Sequence, residues 1–134
     1  MFNTVLFPVD QSREARDAAN TVTNLVKTYN SRLVLLSVVE KSPAPDTNDV
    51  MSSVEAVAEL LQSAKKLFAA EGIEAETIER EGMASFTICD VADEINADLI
   101  VMGCRGLGLT EEGAAESVTN RVINLAPCPV LIIP

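Results

Sequence analysis

Gly103 and Gly106 close off a short apolar run, Leu99-Ile-Val-Met102, and bracket the segment Gly103-Cys-Arg-Gly106. After nine further residues comes Glu116-Ser117-Val118, then a helix-like stretch, Ala126-Pro-Cys-Pro129 and a last apolar run, Val130-Leu-Ile-Ile133. Glycines directly after a strand let backbone N–H groups approach a phosphate closely, and a helix that follows adds its positive dipole end. The residue types and spacing therefore suit an anion or nucleotide site. The same two glycines also suit a tight strand-to-helix turn that needs positive φ. Counting Gly108, the spacing is GxxGxG, not the GxGxxG of a dinucleotide fold, and no GxxxxGK[ST] exists, which excludes a P-loop. Cys104 lies inside the loop, where a nearby helix start could lower its pKa; a tolerated small residue is the plainer reading.

The chain contains no histidine. A Ser-His-Asp or Cys-His nucleophile cannot be built, histidine zinc sites are gone, and acid–base work is left to carboxylates. The three cysteines, Cys89, Cys104 and Cys128, form no CxxC pair and make a poor metal set. They read as reduced cytosolic thiols rather than a disulfide framework.

The segment from Gly103 to Ser117 resembles the carboxyl-terminal signature of the universal stress protein family: a glycine, two residues, a glycine, nine residues, then glycine followed by Ser or Thr. Gly103 and Gly106 match the first pair and Ser117 the last position, while Glu116 stands where the family's ATP-binding members have glycine. Ala126-Pro-Cys-Pro-Val130 is similar to the family in register, and Val5-Leu-Phe-Pro-Val-Asp10 resembles its first strand and acidic residue. The resemblance implies a nucleotide crevice lined by Pro8, Val9, Asp10, Val38, Val39, Met102, Gly103, Arg105, Gly106, Ser117, Val118 and Thr119. Asp10 would accept a ribose or adenine hydrogen bond, and also suits an N-cap. Val38 and Val39 would offer backbone groups to an adenine, or simply be core. Ser117 would contact phosphate with the N–H groups opening the last helix, or merely cap that helix. Gly82 would open the third helix beside the crevice, or be an ordinary turn.

Charge opposes a triphosphate here. Glu111, Glu112 and Glu116 face Arg105 alone, three negative charges against one positive, a local balance of −2. At an effective dielectric of about 20, each like-charge pair at about 4 Å costs a few kcal/mol before screening, part of which magnesium would offset. The expectation is weak ATP binding, with AMP or a related ligand accepted. No catalytic residue and no resident metal is expected, so the chain is read as no enzyme, or one with trace nucleotide hydrolysis at most. The SGGxDS and HIGH motifs of ATP-dependent activating enzymes are absent. The alternative is an interaction protein that keeps the fold without nucleotide and acts through its dimer and partner surfaces.

At 134 residues the chain is long enough for one domain, 1–134, burying roughly two-thirds of its unfolded surface. Apolar residues make up 48%, which argues against disorder. A net charge of −10 disfavours nucleic acid and anionic membrane surfaces. No apolar run approaches the roughly 20 residues of a membrane span. The amino terminus lacks a charged region followed by an apolar one, so no secretion signal is expected and the location is read as cytoplasmic.

The elements that must position the site follow from periodicity. Thr4–Val9 reads as a strand. From Ser12 the period turns helical, with Ala15, Ala18, Val22, Leu25 and Tyr29 on one face, joined by Ala19 and Val26. Arg32–Val39 is a strand apolar on both faces, as in a covered parallel sheet. Lys41–Asp49 reads as a loop. A long helix follows, burying Val54, Val57, Leu61, Ala64 and Phe68, with Gly72 as its C-cap. Glu74–Arg80 reads as an edge strand, Ser85–Asn96 as a helix with Ile88, Val91, Ala92 and Ile95 inward, Asp98–Met102 as a strand, Ser117–Leu125 as a helix and Val130–Ile133 as the last strand. This βαβαβαβαβ alternation argues for an open parallel α/β sheet, helices on both faces. The resemblance implies strand order 3-2-1-4-5, which brings Asp10 and Gly103 to one switch-point crevice. It also implies a homodimer paired through the last strand.

Overall fold

The computed structural model describes residues 2–9, 13–39, 47–103 and 112–133, with side-chain surroundings for all of these except 13–17, 47–57 and 112–118. The elements are β1 (Thr4–Pro8), α1 (Arg13–Tyr29), β2 (Arg32–Val39), α2 (Thr47–Ala70), β3 (Ala75–Glu81), α3 (Ala84–Glu94), β4 (Leu99–Gly103), α4 (Glu112–Leu125) and β5 (Val130–Ile133). All strands pair in parallel, in the order β3-β2-β1-β4-β5.

Side chains alternate across a strand, so each apolar strand feeds two cores. On one face Val5, Phe7, Leu33, Leu35, Leu99 and Val101 pack with Ala18, Val22 and Val26 of α1 and with Leu61 and Phe68 of α2. On the other, Leu6, Val34, Leu36, Ile100 and Met102 pack with Ile88, Val91 and Ala92 of α3 and Val122 of α4. Phe7 and Phe68 meet edge to face at 6.2 Å.

Three helices stop in the same way. Asn30, Gly72 and Asn96 follow α1, α2 and α3 with φ of 52°, 81° and 54°. The next N–H in each case returns to the carbonyl five residues back: Ser31 to Val26, Ile73 to Phe68 and Ala97 to Ala92, at 3.1, 3.0 and 2.9 Å. This left-handed cap satisfies the last carbonyls and turns the chain into the next strand. At the amino ends of the strands, the Thr4 N–H donates to Asp98 Oδ2 at 2.9 Å and the Asp98 N–H to the Thr4 carbonyl at 2.8 Å. Arg32 and Glu76 pair across β2 and β3 at that same end.

Three expectations need correction. Tyr29 does not join the buried face of α1; it is 43% exposed and stacks edge to face on Phe2 at 5.2 Å. Thr47, Asn48 and Asp49, expected in a loop, belong to α2, and the rest of that expected loop, residues 41–46, lies outside the described residues. The last helix starts at Glu112, not Ser117. Gly113, which costs about 1 kcal/mol against Ala inside a helix, and the cap-like Ser117 both argue for a later start. The helix forms across them, so Ser117 lies more than a turn inside α4. Side-chain surroundings of Ala15, Val54 and Val57 lie outside the described residues.

Candidate functional site

In a parallel sheet every strand points the same way, so the carboxyl ends of β1, β2 and β4 gather at one edge, with the start of α3. Between β1 and β4 the sheet splits there. The β1–β2 ladder runs the length of β1, to Pro8 opposite Leu36, and β4–β5 runs to Gly103 opposite Ile133. The β1–β4 pairing, however, ends at Leu6 opposite Ile100.

Backbone parity explains the split. Along a strand, N–H and C=O groups of alternate residues point to opposite neighbours. The Val9 N–H donates to the Leu36 carbonyl at 2.8 Å, so odd residues of β1 face β2 and even ones face β4. Leu6 is followed on the β4 side by Pro8, which has no N–H. The donor that would carry the ladder one step further, to the Val101 carbonyl, does not exist. The β1–β4 ladder stops where Pro8 stands.

The same parity sorts the sequence candidates. Val38 shares the parity of Leu36, so its backbone groups face the β1 side at the crevice floor. Val39 faces β3, and its carbonyl accepts the Gly82 N–H at 3.0 Å. Ile100 donates to the Pro129 carbonyl at 3.0 Å, so the Met102 backbone likewise faces β5, while Gly103 presents its backbone to the gap. The Met102 side chain is buried against the α3 and α4 face. Val9 is buried on the opposite face. Thr119 is buried on α4. The structure thus brings Pro8, Val38 and Gly103 together as backbone edges around one gap. Asp10, Cys104, Arg105 and Gly106 lie outside the described residues, as do the side-chain surroundings of Glu116, Ser117 and Val118.

Gly82 sets the turn from β3 into α3. Its φ of 147° is a conformation that side-chain-bearing residues avoid, and a Cβ there would lie 2.8 Å from Thr87 Oγ1. Its N–H ties the β3–α3 turn to β2, while the Thr87 N–H donates to the Met83 carbonyl at 2.9 Å. Met83 caps α3 with no side-chain hydrogen bond. In the first turn Ser85 is 1% exposed, and its Oγ has no hydrogen-bond partner. Sequence reading gave Ser85 only a place at the start of the third helix. The available signal was a hydroxyl three and four residues before Ile88 and Cys89, on the same apolar stripe.

Two thiols lie in the α3 and α4 core. Cys89 is buried with Sγ 4.0 Å from the Val122 carbonyl, and Cys128 packs against the same cluster. Burial pushes the Cys89 thiol pKa up, with the charge of Asp90 adding to it. Burial also raises that of Cys128, followed by the influence of Asp98 and Cys89. Both are held in the unreactive thiol form. Among the described residues no cluster of His, Cys, Asp or Glu could hold a metal, and no helix is long and apolar enough to cross a membrane.

An open parallel sheet in the order β3-β2-β1-β4-β5, with its switch point between β1 and β4, defines a doubly wound α/β fold of the Rossmann-like type. The chain belongs to the universal stress protein family, whose family model matches residues 1–134. It is 68% identical over 136 residues to universal stress protein Sll1654 of Synechocystis sp., covering 100% of this chain and 87% of that protein. Its fold is similar to that of the universal stress protein from Archaeoglobus fulgidus solved in complex with dAMP. There the TM-score is 0.77 at 24% identity, over 99% of this chain and 98% of that one. A universal stress protein solved in complex with cAMP gives a TM-score of 0.79 at 22% identity, over 99% and 97% of the two chains.

Proposed function

We propose that the crevice between β1 and β4 binds an adenine nucleotide, and that this chain is a homodimeric cytoplasmic stress-response module that signals by binding rather than turnover. The observation that carries the reading is the parting of the sheet at Pro8, which leaves the backbone edges of Val38 and Gly103 facing one gap at the switch point. Adenylate ligands in two proteins of the same fold are in keeping with it. The lack of histidine favours binding over catalysis.

ATP fits this chain poorly. Glu112 is the first residue of α4, and Glu116 follows one turn on. The dipole effect is confined to the first turn, so Glu112, not Glu116, occupies the position that offsets the helix's positive end. Glu116 still adds bulk and charge where the ATP-binding pattern has glycine. AMP or a related ligand, with less negative charge to place near α4, is the favoured occupant. The same glutamates support the second reading, an interaction protein without nucleotide.

The dimer reading rests on β5. It is the outermost strand beyond β4, its four apolar residues are all half-buried, and an apolar edge left open invites aggregation. Twofold pairing of β5 with a second copy would cover that edge.

Titration calorimetry of the wild type and Glu116→Gly with AMP and ATP tests the nucleotide reading. AMP should bind the wild type more tightly than ATP does, and the substitution should improve ATP binding more than AMP binding. Tight wild-type ATP binding that Glu116→Gly leaves unchanged contradicts the charge argument, and no binding of either nucleotide favours the second reading. Hydrolysis near ~1 s⁻¹, at the low end for enzymes, that disappears in Asp10→Ala contradicts the non-enzymatic assignment.

A further inference from the structure

The core under α3 and α4 is mainly apolar, and Ser85 Oγ is the buried side-chain oxygen among the described residues that has no hydrogen-bond partner. The α3 stripe runs Ala92, Cys89, Ile88 and then Ser85, and the polar member comes last, where the stripe reaches the carboxyl ends of the strands. Ile88 and Cys89 share a cluster with Met102, the penultimate residue of β4, and Val38, the penultimate residue of β2. The hydroxyl therefore lies above the crevice and not over the middle of the sheet.

A serine buried to 1% with an unpartnered Oγ is costly, and such a group in a native fold calls for an explanation. Serine inside a helix ordinarily turns to solvent or bonds back to a carbonyl one turn earlier. Ser85 does neither. Helical Cα–Cβ bonds tilt toward the amino terminus, so Cβ of this second residue of α3 leans to the helix start. That start has no side-chain cap, and it is held against β2 by the Gly82 to Val39 hydrogen bond. A helix start whose N-cap residue, Met83, makes no side-chain hydrogen bond and an orphaned hydroxyl thus meet at the carboxyl ends of the strands.

We propose that Ser85 is a contact for the base of the bound nucleotide, its hydroxyl meeting a ring nitrogen or amino group on the purine edge. This rests on the nucleotide reading above and deepens it. A phosphate suits this end badly. Val38, Ile88 and Met102 are apolar, and burying a dianion among them without a paired cation is expensive. Arg80 is occupied by Glu94 at 3.1 Å, and Arg121 lies against Met83 Sδ at 3.6 Å on the outer surface. A purine has apolar faces and hydrogen-bonding edges, which matches apolar walls carrying one hydroxyl. The Oγ is closed to solvent, so the contact forms as the base enters between the first turn of α3 and the ends of β2 and β4.

The test is calorimetry of the wild type, Ser85→Ala and Ser85→Thr with AMP and with ribose 5-phosphate, which lacks the base. One neutral hydrogen bond predicts that Ser85→Ala weakens AMP about five-fold. Ribose 5-phosphate should be unaffected, Ser85→Thr should keep most of the AMP affinity, and the melting temperature of ligand-free Ser85→Ala should be unchanged or higher. AMP binding within two-fold of wild type in Ser85→Ala overturns the proposal. Equal loss for AMP and ribose 5-phosphate overturns the base assignment and points to the phosphate end. A wild type that binds neither ligand refutes the nucleotide reading itself, and this inference with it.

Discussion

Gly82 couples backbone strain to the crevice, and its cost can be set against a matched control. Gly72 and Gly82 both have positive φ, 81° and 147°. A Cβ at Gly72 meets nothing within 4 Å, so Gly72→Ala reports the left-handed backbone alone, about 1–2 kcal/mol. At Gly82 the backbone is at least as unfavourable, about 1–3 kcal/mol, and the added Cβ also lies 2.8 Å from Thr87 Oγ1. That side chain must move, so Gly82→Ala should cost roughly 1 kcal/mol more than Gly72→Ala, since coupled neighbours interact at about 0.5–3 kcal/mol. Adding Thr87→Ala should return that difference and leave the φ cost in place. The four proteins are compared by urea denaturation, reading midpoints at constant slope. The two glycines should also separate in function. Gly82→Ala disturbs the turn that holds Val39 and starts α3, so AMP affinity should fall, whereas Gly72, at the opposite end of the sheet, should leave it unchanged. The reasoning is refuted if Gly82→Ala is no costlier than Gly72→Ala, or if Thr87→Ala restores nothing.

Three further outcomes can be checked independently. Leu131→Lys and Ile133→Lys place a charge on the β5 edge, in side chains packed against the α1 and α2 core; light scattering should show monomers or insoluble protein, and a dimer surviving both changes excludes this edge as the interface. The raised thiol pKa values of Cys89 and Cys128 mean that, above the ordinary thiol range, the unfolded chain loses protons that the folded one keeps. Stability should therefore fall as pH rises through that window, and less steeply in a Cys89→Ala/Cys128→Ala variant. Native Cys89 should also react with a thiol reagent far more slowly than in denaturant, and equal rates would show that burial does not protect it.

Much of the fold is written in side-chain types. Alternating apolar runs and helical stripes mark the nine elements, and Gly72 marks a helix end because few other residues adopt its φ. The strand order came from resemblance, because parallel strands apolar on both faces carry no mark of which neighbour each will choose. The start of α4 was misplaced because Gly113 and Ser117 both argue locally for a later start, and the observed helix overrides both. Tyr29 kept helical spacing but stands at the last position of α1, where the helix has run past the sheet and Phe2 is the available partner.

The crevice itself shows where side-chain reading stops. Pro8, Val38, Val39, Met102 and Gly103 were all legible as strand ends, yet their types do not say which way each backbone faces. Only the register does. The hydrogen bond from Val9 to Leu36 fixes β1, that from Gly82 to Val39 fixes β2, and that from Ile100 to Pro129 fixes β4. Those three bonds turn five equivalent candidates into two classes: Pro8, Val38 and Gly103, which border the gap, and Val39 and Met102, which face other strands. Ser85 was harder to see for a related reason. A serine near a helix start reads as an ordinary capping-type residue until the packing shows that it lies inside the core stripe, buried and without a partner. In both cases the missing quantity is the direction of a polar group, which pairing and packing decide after the elements have formed.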